Sequence, residues 1–216
     1  NKKTDESVLQ LGGNDVIVEE RKIDLAPIGS RIISMSGVST FGKLAFGVLG
    51  SEHNIVLADT GILSSPISFT EITIPDIVDV TNIALQDQCV YANSLGTKKI
   101  SKYNVANRTT FVIDDTLIPN MGVVDAIRAN GSHLFIMYTR TDINSSRLTL
   151  LNYYNVNILT IDCDKANYFD TIGNDSVVGI SYFSSNAFRK NYTSETSDII
   201  PINFRVPDVV GNQNIT

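Results

Sequence analysis

Short runs of β-branched and aromatic residues, separated by turn residues, set the rhythm of this chain. Asp15-Val16-Ile17-Val18-Glu19, Lys43 to Val48, Asn54 to Ala58 and Cys89 to Ala92 are each strand-sized and bounded by turn-forming residues. Adjacent apolar pairs such as Val90-Tyr91 and Leu134-Phe135 send side chains to opposite faces of a strand, so both faces of these sheets are expected to be buried. Helical periodicity is nearly absent. The best candidate, Val123 to Ala129, runs directly into Asn130-Gly131, and a segment that short ending at a turn does not stand as a helix. The pattern predicts an all-β chain.

The strand pattern repeats. Ile74-Pro75-Asp76 returns as Ile118-Pro119-Asn120 after 44 residues, and the same shift lays Val80 on Val124, Ile83 on Ile127, Val90 on Leu134 and Tyr91 on Phe135. A second shift of 44 lays Asn130 on Asn174, Leu134 on Val178, Ile136 on Ile180 and Tyr138 on Tyr182. Going backward, Leu95-Gly96-Thr97 matches Leu49-Gly50-Ser51, and later in the unit Tyr103-Asn104-Val105 matches Tyr154-Asn155-Val156 at a shift of 51. Four strands with their connections come to about 44 residues. The expected organisation is therefore four four-stranded units near residues 29–75, 76–119, 120–164 and 165–216, behind an N-terminal strand segment, residues 1–28. Within that segment, Asn14 to Leu25 is expected to pair, either with Asp198 to Val206 of the last unit or with a neighbouring chain.

This period and order of strands resembles the β-propeller family, whose blades of about 40 to 50 residues stack radially so that each sheet covers its neighbour. The resemblance covers residues 29 to about 208 and is generic: the chain has no Trp, so the Trp-Asp ending of the best-known repeat class is missing. A β-sandwich, which also buries both inner faces, is the alternative architecture.

Composition narrows the partners. Charged residues are 19% of the 216-residue chain, the net charge is −6 and the isoelectric point is about 4.8. A nucleic acid would be approached against this field, and the basic clusters Glu20-Arg21-Lys22, Lys98-Lys99-Ile100-Ser101-Lys102 and Arg189-Lys190 lack interleaved aromatics, so no nucleic-acid binding is expected. No apolar run is long enough for a membrane-spanning helix. Cys89 and Cys163 are too few for a disulfide framework and read as thiols in strands. Six Asn-x-Ser/Thr triplets, at Asn107, Asn130, Asn144, Asn174, Asn191 and Asn214, permit glycosylation. The opening residues carry neither Met nor an apolar leader, which suggests a processed or excised chain.

Asp59-Thr60-Gly61 resembles the catalytic triplet of aspartic proteases, but that site needs two such carboxylates and no second Asp-Thr/Ser-Gly occurs. The triplet also resembles the Asp-box turn of sialidase-like propellers, with Leu57 in place of Ser and Ser64 in place of Trp; that turn is structural. Asp142-x-Asn144-x-Ser146 and Asp162-x-Asp164 with Asn167 have alternating oxygens but lack the glycine and bidentate Glu of a calcium loop. His53 and His133 sit in no metal-ligand spacing, and Leu11-Gly12-Gly13-Asn14 lacks the Lys-Ser/Thr of a phosphate loop. No catalytic, cofactor-binding or metal-binding residue is assigned, and no cofactor is expected.

The expectation is a non-enzymatic interaction or structural module of a larger extracellular, cell-surface or virion assembly, binding protein or glycan through its loops. The alternatives are a strand-donating fibre or pilus-like subunit, and a propeller glycosidase or aspartic-type protease.

Overall fold

The computed structural model describes residues 7–11, 14–18, 31–37, 42–49, 52–59, 67–130, 133–152, 154–163, 166, 168–172, 175–180 and 186–201. A small antiparallel hairpin comes first, β1 (Ser7–Leu11) with β2 (Asn14–Val18). Four blades follow, each a four-stranded antiparallel sheet taken in chain order. Blade 1 holds β3 (Arg31–Met35), β4 (Lys43–Leu49), β5 (Ile55–Asp59) and β6 (Ser68–Ile72). Blade 2 holds β7 (Asn82–Gln86), β8 (Cys89–Asn93), β9 (Ile100–Asn104) and β10 (Thr109–Ile113). Blade 3 holds β11 (Met121–Asn130), β12 (His133–Arg140), β13 (Ser146–Asn152) and β14 (Asn157–Cys163). Blade 4 holds β15 (Tyr168–Ile172), β16 (Ser176–Ile180), β17 (Asn186–Asn191) and β18 (Ser197–Pro201). The chain is a β-propeller, and four sheets rather than two exclude the sandwich.

Apolar layers between the blades hold them together. Ile55, Leu57 and Ile72 of blade 1 meet Ile83, Leu85 and Val90 of blade 2. Ala84, Tyr91 and Ile113 of blade 2 meet Val124, Ile127 and Leu134 of blade 3. Phe135, Met137 and Leu148 of blade 3 meet Phe169, Val177 and Phe188 of blade 4. Each such side chain, fully buried, contributes about 1.5–3 kcal/mol relative to exposure. The first strand of each blade is the inner one: β7 packs on β3 and β4, β11 on β7, and β15 on β11.

The recurring Ile-Pro-Asp/Asn has a physical basis. Both copies are turns that hand the chain from one blade to the next, with buried Ile74 and Ile118 anchoring them. Proline pre-sets the first turn position, and the next residue must be left-handed, φ 64° at Asp76 and 63° at Asn120, which Asp and Asn tolerate. The Met121 amide closes the second turn on the Ile118 carbonyl at 3.0 Å. The first is pinned by Asn54, whose amide donates to the Ile74 and Ile77 carbonyls at 2.8 and 2.9 Å and accepts from the Ile74 amide at 2.9 Å. Gly47 permits the close approach of blades 1 and 2: a Cβ there would lie 2.6 Å from the Val80 carbonyl oxygen.

Two sequence matches need correction. Val90, Leu134 and Val178 do fall in the second strand of consecutive blades. The first hairpin of blade 3 closes on Asn130 opposite His133, whereas that of blade 4 closes on Ile172 opposite Ser176, one residue longer. Counting from these closures, Val177 and not Val178 is the counterpart of Leu134. Val177 is buried against blade 3 and Val178 faces the other way, since a one-residue slip inverts every side chain of a strand. Likewise Tyr103 lies in β9 while Tyr154 lies in a loop, 82% exposed. The true counterparts are Asn104, Asn152 and Asn191, each ending the third strand of its blade and each accepting two backbone amides of the following loop. Such Asx turns explain part of the abundance of Asn. Asn14–Val18 is paired, its partner being β1, and β18 is the edge strand of blade 4. Residues 19–25 and 202–206 lie outside the described residues.

Candidate functional site

One cavity, of about 190 Å³, is lined from all four blades. β3 supplies Ile33, Ser34 and Met35; β7 and the residue before it supply Thr81, Asn82 and Ile83; β11 supplies Arg128 and β15 supplies Tyr168. Because these are the inner strands, the cavity marks the propeller axis.

Its polar lining is fixed by hydrogen bonds within the blades. The Ser34 hydroxyl donates to the Val80 carbonyl. Asn82 donates to the Asn93 side-chain oxygen at 3.1 Å, and the Thr81 hydroxyl to the Asn93 carbonyl at 3.3 Å. Asn93, almost wholly buried, also donates to the Lys99 carbonyl at 2.7 Å and to Thr97. Arg128 donates to the carbonyl of Ile127 at 2.8 Å, and its guanidinium carbon lies 5.9 Å from the centre of the Phe169 ring, a contact that ties it to blade 4. Beside this fixed lining, Met35 and Tyr168 are 60% and 54% exposed. The mouth thus offers a thioether, a phenol and a guanidinium on a rigid base.

The described lining residues include no carboxylate, imidazole or thiol, and their ionisable groups are the Arg128 guanidinium and the Tyr168 phenol. Among the described residues no group of three or more His, Cys, Asp or Glu stands close enough to hold a metal ion. The arrangement can bind; its groups suit an apolar segment with an acceptor for Arg128.

The candidate residues of the sequence lie apart from this mouth. Asp59 ends β5 half-exposed, 3.9 Å from the Lys43 ammonium; Thr60 and Gly61 lie outside the described residues. His53 bridges blade-1 groups, Nδ1 to the Thr73 hydroxyl at 2.8 Å and Nε2 to Glu71 at 2.7 Å. His133 heads β12 with its ring 6.4 Å from that of Phe135. Asp142 is gripped by Arg140, whose Nε donates at 2.6 Å; that hydrogen bond holds the carboxyl below the usual range. Asp162 accepts from Arg147 at 2.8 Å with the same consequence, while Asp164 and Asn167 lie outside the described residues. Cys89 and Cys163 are thiols in different blades. No described helix is long and apolar enough to cross a membrane. Sequence reasoning missed Met35, Arg128 and Tyr168 because only the ring of blades brings them together; their place at the inner strand of each unit is the signal that could have found them.

No family model matches the chain, and neither does any curated protein. Solved structures do. Hydrazine synthase of Kuenenia stuttgartiensis is similar at 11% identity and TM-score 0.56, over 79% of this chain and 49% of that one. A mitotic checkpoint complex matches at 9% identity and 0.52, over 88% and 57%. RRP9 WD40 repeats match at 8% and 0.50, over 79% and 53%. At such identities the likeness establishes the propeller fold alone, and this chain spans about half the length of those it resembles.

Proposed function

We propose that this propeller is a non-enzymatic interaction module that captures a segment of a partner protein at its axial mouth. The observation that carries this is the convergence of Met35, Arg128 and Tyr168, from three blades, on one rigid cavity. Met, Arg and Tyr are enriched at protein interfaces, where a few large side chains beside a preformed recess supply most of the binding energy. Similar structures include one named for WD40 repeats and one named as a checkpoint complex, which supports a protein partner; another is named as an enzyme, so the fold alone does not choose between these roles. The low charge and the wealth of Asn, Ser, Thr and Tyr favour an extracellular, cell-surface or virion assembly as the setting.

Peptides selected from a displayed random library on the folded protein test this. Met35→Asp and Arg128→Ala are expected to weaken the selected peptides at least about tenfold, the scale of an interface anchor, with the control Thr193→Ala unchanged. Peptides indifferent to both substitutions would refute the assignment.

A further inference from the structure

A second cavity, of about 270 Å³, opens between blade 2 and the β13–β14 loop of blade 3. It is lined by Lys102, Asn104, Thr109, Phe111, Tyr154 and Asn155. Tyr91, Lys102 and Phe111 are register partners and form one row across blade 2. Along that row the side chains pass from fully buried Tyr91, through Lys102 at 8% exposure, to the half-exposed Phe111 ring. The Lys102 ammonium lies 5.5 Å from the centre of the Tyr91 ring and donates to the Asn155 side-chain oxygen at 3.1 Å. Asn155 is itself held at φ 63°, with its amide bonded to the Asn152 carbonyl at 2.9 Å.

Among the described side chains of the cleft, donors outnumber acceptors. Asn155 gives its side-chain oxygen to Lys102, and Asn104 gives its own to the amides of Ala106 and Asn107 at 3.0 and 3.2 Å. Each therefore offers a ligand its NH₂ group. The Thr109 hydroxyl donates to Asn107 at 2.6 Å. The cleft thus offers a ligand an ammonium, two amide donors and two aromatic side chains, Phe111 and Tyr154, against one hydroxyl acceptor, Thr109. An ionised carboxylate is an acceptor only, and it matches such a set.

We propose that this inter-blade cleft is a binding site for a carboxylate carried on an apolar or aromatic body, with Lys102 as its counter-ion and Phe111 and Tyr154 as its walls. Burial pushes the Lys102 ammonium below its ordinary pKa, only partly offset by the Cys89 sulfur, and an incoming carboxylate relieves that cost. The site is independent of the axial mouth, and either can fail without the other.

The test titrates the whole chain with phenylpropionate and with its neutral isostere phenylpropionamide, following backbone amides by NMR. The acid is expected to shift the amides of 102–111 and 154–155 and to bind about tenfold or more tightly than the amide, the scale of a recessed charge pair. Lys102→Met should remove that preference. Phe111→Ala, on the exposed rim, should weaken the acid several-fold with the thermal midpoint little changed, so the test survives if Lys102→Met fails to fold. A capped Phe-Glu dipeptide that binds more tightly than the free acid identifies a partner protein's carboxylate as the source; the reverse order identifies a small acid. Equal binding of acid and amide, undiminished binding in both variants, or shifts confined elsewhere would overturn the proposal.

Discussion

Blades 3 and 4 are built on one strand plan and differ in what their far faces meet. Counted from the first hairpin, the row Ala126, Met137, Leu148, Ile161 of blade 3 corresponds to Tyr168, Ile180, Ala187, Ile200 of blade 4. The first row is sealed against blade 4; in the second, Tyr168, Ile180 and Ile200 stay exposed and only Ala187 is buried. The neighbouring rows explain why. Blade 3 continues with Arg128, Phe135, Leu150 and Leu159, mostly apolar, whereas blade 4 continues with Asp170, Val178, Arg189 and Asp198. Two adjacent apolar rows make a core face, and one apolar row beside a charged one makes a surface. Inside the blades the difference is compensated: the cross-strand pair Ile136–Thr149 of blade 3 is Gly179–Phe188 in blade 4, so the bulk crosses from one strand to its partner.

The largest effect that separates the two faces is a buried charge. Val177→Asp places a carboxylate against blade 3 and is expected to cost more than about 4 kcal/mol, enough to unfold the blade, while Val178→Asp should stay within about 1 kcal/mol. Urea denaturation of both variants checks this, and the opposite order would restore the 44-residue register. Next, Leu148→Ala should lose about 3 kcal/mol by cavity formation, and Ile200→Ala, at the matching position, less than about 1 kcal/mol. Equal losses would mean that the far face of blade 4 is covered.

A smaller effect probes the exchanged bulk. A Cβ on Gly179 would lie 2.5 Å from the Phe188 ring and 2.8 Å from the Ala166 Cβ, so Gly179→Ile should cost about 2 kcal/mol. Adding Phe188→Thr should return about 1 kcal/mol of it, a coupling that a double-mutant cycle measures; strict additivity would contradict the pairing. The smallest contrast is expected between the loops: Asn152→Ala and Asn191→Ala should each cost about 1 kcal/mol, because both lose the same Asx turn whatever their blades face.

Much of this architecture was legible because the repeat is written in turn chemistry. Ile-Pro-Asp and Ile-Pro-Asn mark the same inter-blade turn, and the Asn130-Gly131 turn after Val123 to Ala129 marks that segment as a strand, β11. The register of β16 was not legible, since one extra residue between Ile172 and Ser176 leaves the composition of the strand unchanged while inverting its faces. Tyr154-Asn155-Val156 misled for a related reason: a three-residue likeness outweighed the Asn that ends each third strand. In the sequence Lys102 belongs to the basic cluster Lys98 to Lys102, yet register places it beside Tyr91 and its ammonium reaches Asn155 of the next blade. The axial mouth was hidden more deeply, because Met35, Arg128 and Tyr168 share no motif and meet only through the radial arrangement of the blades around one axis.

The central claim is that the shared mouth of the propeller is where a partner segment binds, and amide chemical-shift mapping of a library-selected peptide tests it most directly. The account predicts shifts at residues 33–35, 81–83, 128 and 168 together, one set from every blade. Shifts confined to a single blade, or to the loops at residues 104–108 and 191–196, would contradict it.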